Sequence, residues 1–145
     1  MTRKQERIFV FAFMNTIMSF CMTITGLVVN HAPLTLPVFG ITLAESLLIC
    51  NVCNLVLRIP AVCNRLSFAL TGGNPASKAF GIWNAILNAT ANTLCMNTFM
   101  TLINVGPNAA FFPAWLGGLP IFEAVSIVVS LVASPPAMRA AKRLG

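Results

Sequence analysis

Four long apolar segments, separated by shorter polar ones, dominate the pattern of this chain. They cover residues 8–29, 38–59, 80–103 and 111–134. An α-helix rises about 1.5 Å per residue, so about 20 apolar residues cross a hydrocarbon core of about 30 Å. None of the segments alternates polar and apolar residues, as the strands of a membrane barrel do. The pattern therefore predicts an all-α membrane protein with four transmembrane helices, arranged as two helical hairpins.

The composition indicates that lipid surrounds much of the chain. Of the 145 residues, 57% are hydrophobic and 8% are charged, and the mean hydropathy is +0.84. A water-soluble domain of this size could not cover so much apolar surface with polar side chains. The net charge of +6 would suggest nucleic acid in a soluble protein. Here the bases lie at the ends of the apolar segments, so we predict a lipid bilayer, and no nucleic acid, as partner.

The basic residues predict the orientation of the helices. They precede the first segment, lie around the connection between the second and third, and follow the fourth: Arg3, Lys4, Arg7, Arg58, Arg65, Lys78, Arg139, Lys142 and Arg143. The connections 30–37 and 104–112 contain neither Lys nor Arg. By the positive-inside rule, both termini and the central loop are cytoplasmic and the hairpin tips face outward. The first segment is longer than a signal-peptide core and is expected to remain as an uncleaved anchor.

The two halves of the chain resemble each other at a shift of 74 in residue number. Similar residues recur in the same order: Thr16, Ser19, Cys21, Met22, Asn30 and Pro33, then Thr90, Thr93, Cys95, Met96, Asn104 and Pro107. With a few extra residues in the second hairpin tip, Glu45 meets Glu123. We therefore predict an internal duplication, with repeats at 1–72 and 73–145 related by an axis along the membrane normal. Such hairpins can close into a four-helix bundle, and a homo-oligomer would complete a solute pathway.

The second half carries a family resemblance. Its motifs are TLINVG at 101–106, ASPP at 133–136 and AMRAAKRL at 137–144, with Phe112 and Trp115 between them. They resemble a domain-of-unknown-function family of small bacterial two-helix membrane proteins, over about residues 80–144. The first half is similar to a more divergent copy of the same unit. The resemblance implies an architecture and a bacterial cytoplasmic (inner) membrane, and it assigns no functional residues.

Two carboxylates lie inside the apolar segments. Glu45 and Glu123 are the acids within the predicted spans, and a charge at that depth is costly and by default marks an ion or proton pathway. We therefore hypothesise that the pair faces the bundle interior and takes up protons. The alternative is a protonated or hydrogen-bonded acid that holds helices together, beside Ser46 or Ser126.

Asparagines form polar faces on two of the predicted helices. Asn84, Asn88 and Asn92 are spaced four residues apart and so share one helix face, and Asn15 begins a similar strip on the first segment. These faces could line a hydrated path for a polar solute. The alternative is that they are interhelical hydrogen-bond partners, each worth about 0.6–2 kcal/mol in lipid.

The cysteine and methionine residues suggest two further functions, thiol redox chemistry and metal binding, with less support. Cys50 and Cys53 form a Cys-x-x-Cys pair, and four-helix membrane oxidoreductases that pass electrons from thiols to a quinone resemble this chain in size. The pair lies deep in the second span, however, where buried thiols are inert. Soft sulfur ligands suit Cu(I), and Cys-Met occurs at 21–22 and 95–96, but adjacent helical residues point about 100° apart. We therefore predict no metal, no cofactor and no enzymatic activity.

Two classes of function remain open from the sequence. The first is a small transporter or channel for a small solute, coupled to protons through Glu45 and Glu123. The second is a non-catalytic accessory or structural subunit of a membrane complex, in which the polar residues only hold helices together. A shared, water-accessible cavity would favour transport, and lipid-facing carboxylates would favour the subunit.

Overall fold

The computed structural model describes residues 3–143, and these form five α-helices. The helices are α1 (Arg3–Val29), α2 (Leu36–Val56), α3 (Ile59–Leu70), α4 (Lys78–Val105) and α5 (Phe111–Arg143). No strand occurs within 3–143. The all-α prediction is confirmed, although the predicted number of helices was four.

Three helices are long and apolar enough to cross a membrane. The candidate spans are Ile8–Val29, Leu36–Val56 and Phe111–Ala137, and the first has the bounds of the predicted segment. Helix α4 covers the predicted third segment and has 28 residues, but it is not among the candidates. Five asparagines lower its hydropathy: Asn84, Asn88, Asn92, Asn97 and Asn104. The structure therefore supports a membrane protein, and three of the four predicted transmembrane segments correspond to candidate spans.

The predicted second span is wrong at its C-terminal end, because the helix stops earlier. Helix α2 ends at Val56, and Arg58 adopts a left-handed backbone conformation with φ 49° and ψ 40°. Pro60 lies in the first turn of α3, where its missing N–H costs nothing, whereas inside a continuous helix it would remove a hydrogen bond. The predicted central loop therefore contains a helix of 12 residues, α3.

Prolines do not interrupt the last helix in the same way. Pro120, Pro135 and Pro136 all lie inside α5, which runs on for 33 residues to Arg143. The predicted segment 111–134 begins at the first residue of α5 but ends before Pro135, whereas the helix continues to Arg143. The first hairpin therefore contains a broken helix pair, α2 and α3, where the second contains one continuous helix.

The four long helices pack as a ring. Helix α1 contacts α2 and α5, and α4 contacts the same two helices, so α1 and α4 lie diagonally across the bundle. Helix α3 packs along α4 and touches the end of α2. Its inward residues Ile59 and Cys63 join Cys53 in a small apolar cluster against Leu87 and Ala91 of α4.

Buried positions recur at fixed spacings in the two hairpins. Each buried residue of the described part of α1 has a buried counterpart in α4 at a shift of 74 in residue number: Asn15 and Ala89, Met18 and Asn92, Ser19 and Thr93, Met22 and Met96, Thr23 and Asn97, Leu27 and Thr101. In the second helix of each hairpin the shift is 80, since Ser46, Cys50 and Cys53 correspond to Ser126, Ser130 and Ala133. The two hairpins therefore present the same pattern of positions to the bundle interior.

The interior is small and polar, while the exterior is apolar. The largest side chains that are almost fully buried are Thr, Ser and Cys residues, such as Thr23, Thr93 and Cys50. Large apolar side chains lie outside, with Leu36 85% and Leu55 80% exposed. This arrangement is typical of helices that pack through small and polar residues and face lipid elsewhere.

Candidate functional site

A cavity opens at the end of the bundle where α1 and α4 begin. It has a volume of about 1110 Å³, and its walls are formed mainly by α1 and α4. The rest of the lining comes from Asn54 of α2, the first half of α3, residues 75–77, and four residues of α5: Ser130, Leu131, Ser134 and Pro135. We call this cavity the vestibule. Because α1 and α4 lie diagonally across the ring, the vestibule lies between them, and its lining also includes the exposed side chains of Phe11 and Ile82.

The vestibule gathers six asparagines from four helices. They are Asn15 of α1, Asn54 of α2, Asn64 of α3, and Asn84, Asn88 and Asn92 of α4. Four of them are the asparagines singled out from the sequence. Asn54 and Asn64 were missed: Asn54 lies in an apolar segment, and Asn64 lies in what was predicted to be a loop. The available signal for Asn54 was the pair of amides, Asn51 and Asn54, inside a predicted span.

Hydrogen bonds connect five of these amides into a chain, while Asn15 Nδ2 donates to Asn51 Oδ1 of α2 over 3.3 Å. Asn54 Nδ2 donates to Asn92 Oδ1 over 2.7 Å and to the carbonyl of Cys50 over 2.8 Å. Asn92 Nδ2 donates to the carbonyl of Asn88 over 2.9 Å. The chain continues from Asn88 to Asn84, and from Asn84 to Asn64. The chain joins α2, α3 and α4 along one side of the vestibule.

One oxygen in this chain has no partner. Oδ1 of Asn54 is buried and accepts no hydrogen bond, although the residue is only 4% exposed. Both hydrogens of its Nδ2 are already directed to Asn92 and Cys50. A buried acceptor without a donor costs about 1–3 kcal/mol, and this oxygen is buried behind the vestibule wall rather than exposed to the vestibule.

The two diagonal walls of the vestibule differ in chemistry. The α1 wall is mainly apolar, with Asn15 as its amide, and the α4 wall carries three amides. Positions related by the shift of 74 differ in this way: Val10 and Asn84, Met14 and Asn88, Met18 and Asn92. Charged side chains line the vestibule only near its mouth within the described residues, where Glu6 is half-buried and Lys78 is exposed. The inner part is therefore uncharged, with one mainly apolar side and one more polar side.

Toward the hairpin tips the vestibule ends at the bundle core. Met18 belongs both to its wall and to a buried cluster with Met22, Cys50, Ala89 and Met96. Met22 and Met96 are 5% and 3% exposed, and they occupy corresponding positions of α1 and α4. In this conformation the vestibule is open at one end of the bundle only.

The two carboxylates lie outside the vestibule. Glu123 accepts a hydrogen bond from Thr90 Oγ1, which links α5 to α4, and neither it nor Glu45 is among the vestibule's lining residues. Their predicted equivalence does not hold in the burial pattern, because the shift of 80 pairs Glu123 with Leu43. Thr16, which corresponds to Thr90, donates to the carbonyl of Ala12 instead.

Other polar side chains join the helices of each hairpin. Thr23 Oγ1 donates to Ser46 Oγ over 3.2 Å, and Thr93 Oγ1 donates to Ser126 Oγ over 2.6 Å. At the tip of the second hairpin, the indole of Trp115 donates to Thr98 Oγ1 over 3.0 Å. These hydrogen bonds are interhelical contacts away from the vestibule.

Three of the five cysteines are buried in two apolar clusters, Cys50 in one and Cys53 and Cys63 in the other. All five are free, and Cys50 and Cys53 are buried on α2. Cys50 Sγ donates to Asn92 Oδ1 over 3.6 Å, while Cys53 packs with Cys63 of α3. Among the described residues, no group of three or more His, Cys, Asp and Glu side chains is arranged to hold a metal ion.

Comparison with known proteins relates the second hairpin to an uncharacterised family. No curated protein and no solved structure matches the chain. Residues 77–145 match the model of a family described as "Domain of unknown function (DUF2798)". This stretch contains α4 and α5. Its last two residues, Leu144 and Gly145, lie outside the described residues, and Leu144 is the last residue of the C-terminal motif. The second hairpin of this chain is therefore similar to a family whose function is unknown.

Proposed function

We propose that the protein is a four-span transporter or channel that takes a small polar solute into the vestibule. Helix α4 is the fourth span in this proposal. Its outward side chains are apolar, among them Trp83, Phe99 and Ile103, while Asn92 and Asn97 are buried. The low hydropathy of α4 therefore comes largely from asparagines that are buried or half-buried, with Asn104 at its C-terminal end as the exposed exception.

One observation carries the proposal. The four asparagines selected for their spacing, Asn15, Asn84, Asn88 and Asn92, all line one cavity between α1 and α4. Asn15, Asn84 and Asn92 also bond to asparagines of other helices. All four nevertheless border an open volume of about 1110 Å³, which bonds between helices alone do not require. Amide groups in a cavity of this kind replace part of the hydration of a polar solute.

The topology in this proposal follows the basic residues. Both termini and the mouth of the vestibule are on the cytoplasmic side of a bacterial cytoplasmic membrane, because Lys78 and the other bases lie at that end. The recurrence of buried positions at shifts of 74 and 80 supports an origin by duplication. Passage to the other side requires Met22 and Met96 to separate, which makes this methionine pair the proposed closed gate.

Uptake into liposomes tests the proposal. The purified protein is reconstituted, and the uptake of small labelled polar solutes is compared for wild type, Asn88→Leu and Asn104→Leu. Asn104 is a matched control, because it lies on the same helix, is exposed, and bonds only to the carbonyl of Met100. We expect uptake by wild type and Asn104→Leu and its loss in Asn88→Leu. Equal uptake by all three proteins would contradict a path through the vestibule.

Proton coupling is a separate part of the proposal. Glu45 and Glu123 do not line the vestibule, so proton coupling would require a proton route outside it. The double variant Glu45→Gln, Glu123→Gln is expected to retain solute binding and to lose the dependence of uptake on a proton gradient. If uptake by the double variant depended on the proton gradient as it does in wild type, the two carboxylates would have no part in the mechanism.

A second candidate function is an accessory subunit that holds a partner in the membrane. The interhelical bonds from Thr90 to Glu123 and from Thr93 to Ser126 favour it, since they are polar contacts between residues that do not line the vestibule. In that case the reconstituted protein would show no uptake of any solute. A stable complex with another membrane protein, isolated in mild detergent, would then be expected.

A further inference from the structure

A second cavity lies on the surface of the protein, between α3 and the start of α4. It is an open groove with a volume of about 380 Å³, lined by Asn64, Arg65 and Phe68 of α3 and by Phe80 of α4. We call this cavity the lateral groove. Asn64 and Phe80 also line the vestibule, so the two cavities are neighbours. The walls of the lateral groove are therefore two aromatic rings, one amide and one cation.

The surface of α3 around the lateral groove is apolar. The helix buries Ile59, Cys63 and Ser67, which are spaced four residues apart and share one face. The large apolar side chains on its other faces are about half exposed or more: Val62, Leu66, Phe68 and Leu70. In a membrane protein, apolar side chains outside the packed face contact lipid. Helix α3 therefore presents an apolar surface to lipid.

The lateral groove lies at the level where a candidate span begins. Helices α1 and α4 start at the same end of the bundle, and the first candidate span begins at Ile8 of α1. The shift of 74 pairs Ile8 with Ile82 of α4. Phe80 lies two residues, or about 3 Å along the helix, before Ile82. The lateral groove is therefore at the boundary between hydrocarbon and lipid head groups.

Arg65 brings a positive charge to this boundary. Its side chain is exposed and makes no hydrogen bond or ion pair within residues 3–143. The chain has three acidic side chains in all, and none of them lines the lateral groove. Lys78, two residues before Phe80, is a second exposed base nearby. The lateral groove therefore has an excess of positive charge, with no carboxylate among its lining residues.

A phospholipid head group supplies the missing counter-ion. A phosphate accepts two parallel hydrogen bonds from a guanidinium, and the acyl chains of the same molecule are apolar, like Phe68 and Phe80. A zwitterionic head group also carries an ammonium group, which Arg65 and Lys78 repel. An anionic head group lacks that repulsion, and bases next to a membrane attract anionic lipids.

We propose that the lateral groove binds an anionic phospholipid, whose phosphate contacts Arg65 and whose acyl chain lies against Phe68 and Phe80. This site is separate from the solute path through the vestibule, and it is compatible with either of the two proposed functions. Arg65 is the residue that selects the charge of the head group.

Fluorescence quenching by brominated lipids tests the inference, because Trp83 lies one turn after Phe80 and is 44% exposed. The chain has two tryptophans, so Trp115→Phe leaves Trp83 as the only one. This parent protein is reconstituted in phosphatidylcholine bilayers, in which a rising fraction of the lipid is replaced by phosphatidylglycerol or phosphatidylcholine with brominated acyl chains. The two quenching curves give the relative affinity of the lipids near Trp83. We expect phosphatidylglycerol to bind about five-fold more tightly, the effect of one basic side chain near an anionic lipid.

Substitutions of single bases in the parent protein assign this preference to Arg65. Arg65→Gln is expected to bind the two lipids equally, and Arg65→Glu is expected to prefer phosphatidylcholine. Arg139→Gln is the matched control, because Arg139 is also exposed but does not line the lateral groove. It should retain the preference of the parent protein. Circular dichroism shows which variants are folded, and either folded variant of Arg65 decides.

Three results would overturn the inference. The first is equal affinity of the parent protein for the two lipids. The second is a preference for phosphatidylglycerol in a folded Arg65 variant as strong as that of Arg139→Gln. The third is relief of quenching by soluble glycerol phosphate, which has the phosphate but no acyl chains, because the site would then need no lipid. None of these results bears on uptake through the vestibule, so the proposed function is tested separately.

Discussion

A pair of amides, Asn54 and Asn92, joins α2 to α4, and removing one of them should change the stability of the protein measurably. Asn92 Oδ1 accepts from Asn54 Nδ2 over 2.7 Å and from Cys50 Sγ over 3.6 Å, and Asn92 is 8% exposed. Asn92→Leu removes this acceptor and keeps a side chain of similar length. Interhelical hydrogen bonds in lipid contribute about 0.6–2 kcal/mol each. We therefore expect Asn92→Leu to lower the free energy of unfolding by about this amount.

Unfolding by sodium dodecyl sulfate in mixed micelles measures the effect. The two tryptophans, Trp83 of α4 and Trp115 of α5, report separation of the helices by fluorescence, and circular dichroism reports loss of helix. The free energy of unfolding of wild type and Asn92→Leu is obtained from the same titration. A change in midpoint at an unchanged slope would indicate a change in stability rather than in the denatured state.

Asn104→Leu provides the control for this measurement. Asn104 makes the same type of bond to its own helix, from Nδ2 to the carbonyl of Met100 over 2.8 Å, but it is exposed and contacts no other helix through its amide. Its replacement should change the free energy of unfolding little. The reasoning is refuted if Asn92→Leu is no less stable than Asn104→Leu.

Three further predictions concern other contacts. Thr90→Val removes the interhelical donor to Glu123. It should lower the free energy of unfolding by about 0.6–2 kcal/mol, whereas Thr16→Val should change it little in the same titration. The backbone of Arg58 is left-handed, with φ 49°. Arg58→Val should therefore be less stable than Arg58→Gly by about 1–2 kcal/mol, and equal stability would contradict this. Burial raises the pKa of the Cys63 thiol, so its maleimide labelling, followed by peptide mass, should keep rising with pH after labelling of the unfolded chain has levelled.

The apolar pattern predicted the first helix well and the second one poorly. Leu57 and Ile59 continue the apolar run past the end of α2, so the segment reads as one span on hydropathy alone. The break depends on the left-handed backbone of Arg58 and on Pro60 in the first turn of α3. Helix α3 is too short to be seen as a span, and its position is determined by packing on α4.

The candidate site was partly predictable for a similar reason. The spacing of four placed Asn84, Asn88 and Asn92 on one face, because helix periodicity is a local property. Asn64 reaches the same cavity through the turn after α2 and the packing of α3, and Asn54 reaches it through the packing of α2 on α4, which are tertiary features. The pairing of Glu45 with Glu123 depended on the length of the hairpin tips, where a small change in alignment moves a side chain to another face of its helix.

The unlike walls of the vestibule bear on why two hairpins share one chain. A homodimer of identical hairpins would have to line a central cavity with two identical walls, because its two-fold axis repeats every side chain. Two hairpins in a single polypeptide can differ in sequence at corresponding positions. Met14 can therefore oppose Asn88, where a homodimer would place two methionines or two amides. Covalent linkage thereby gives each copy of the gene product an asymmetric cavity with one fixed orientation.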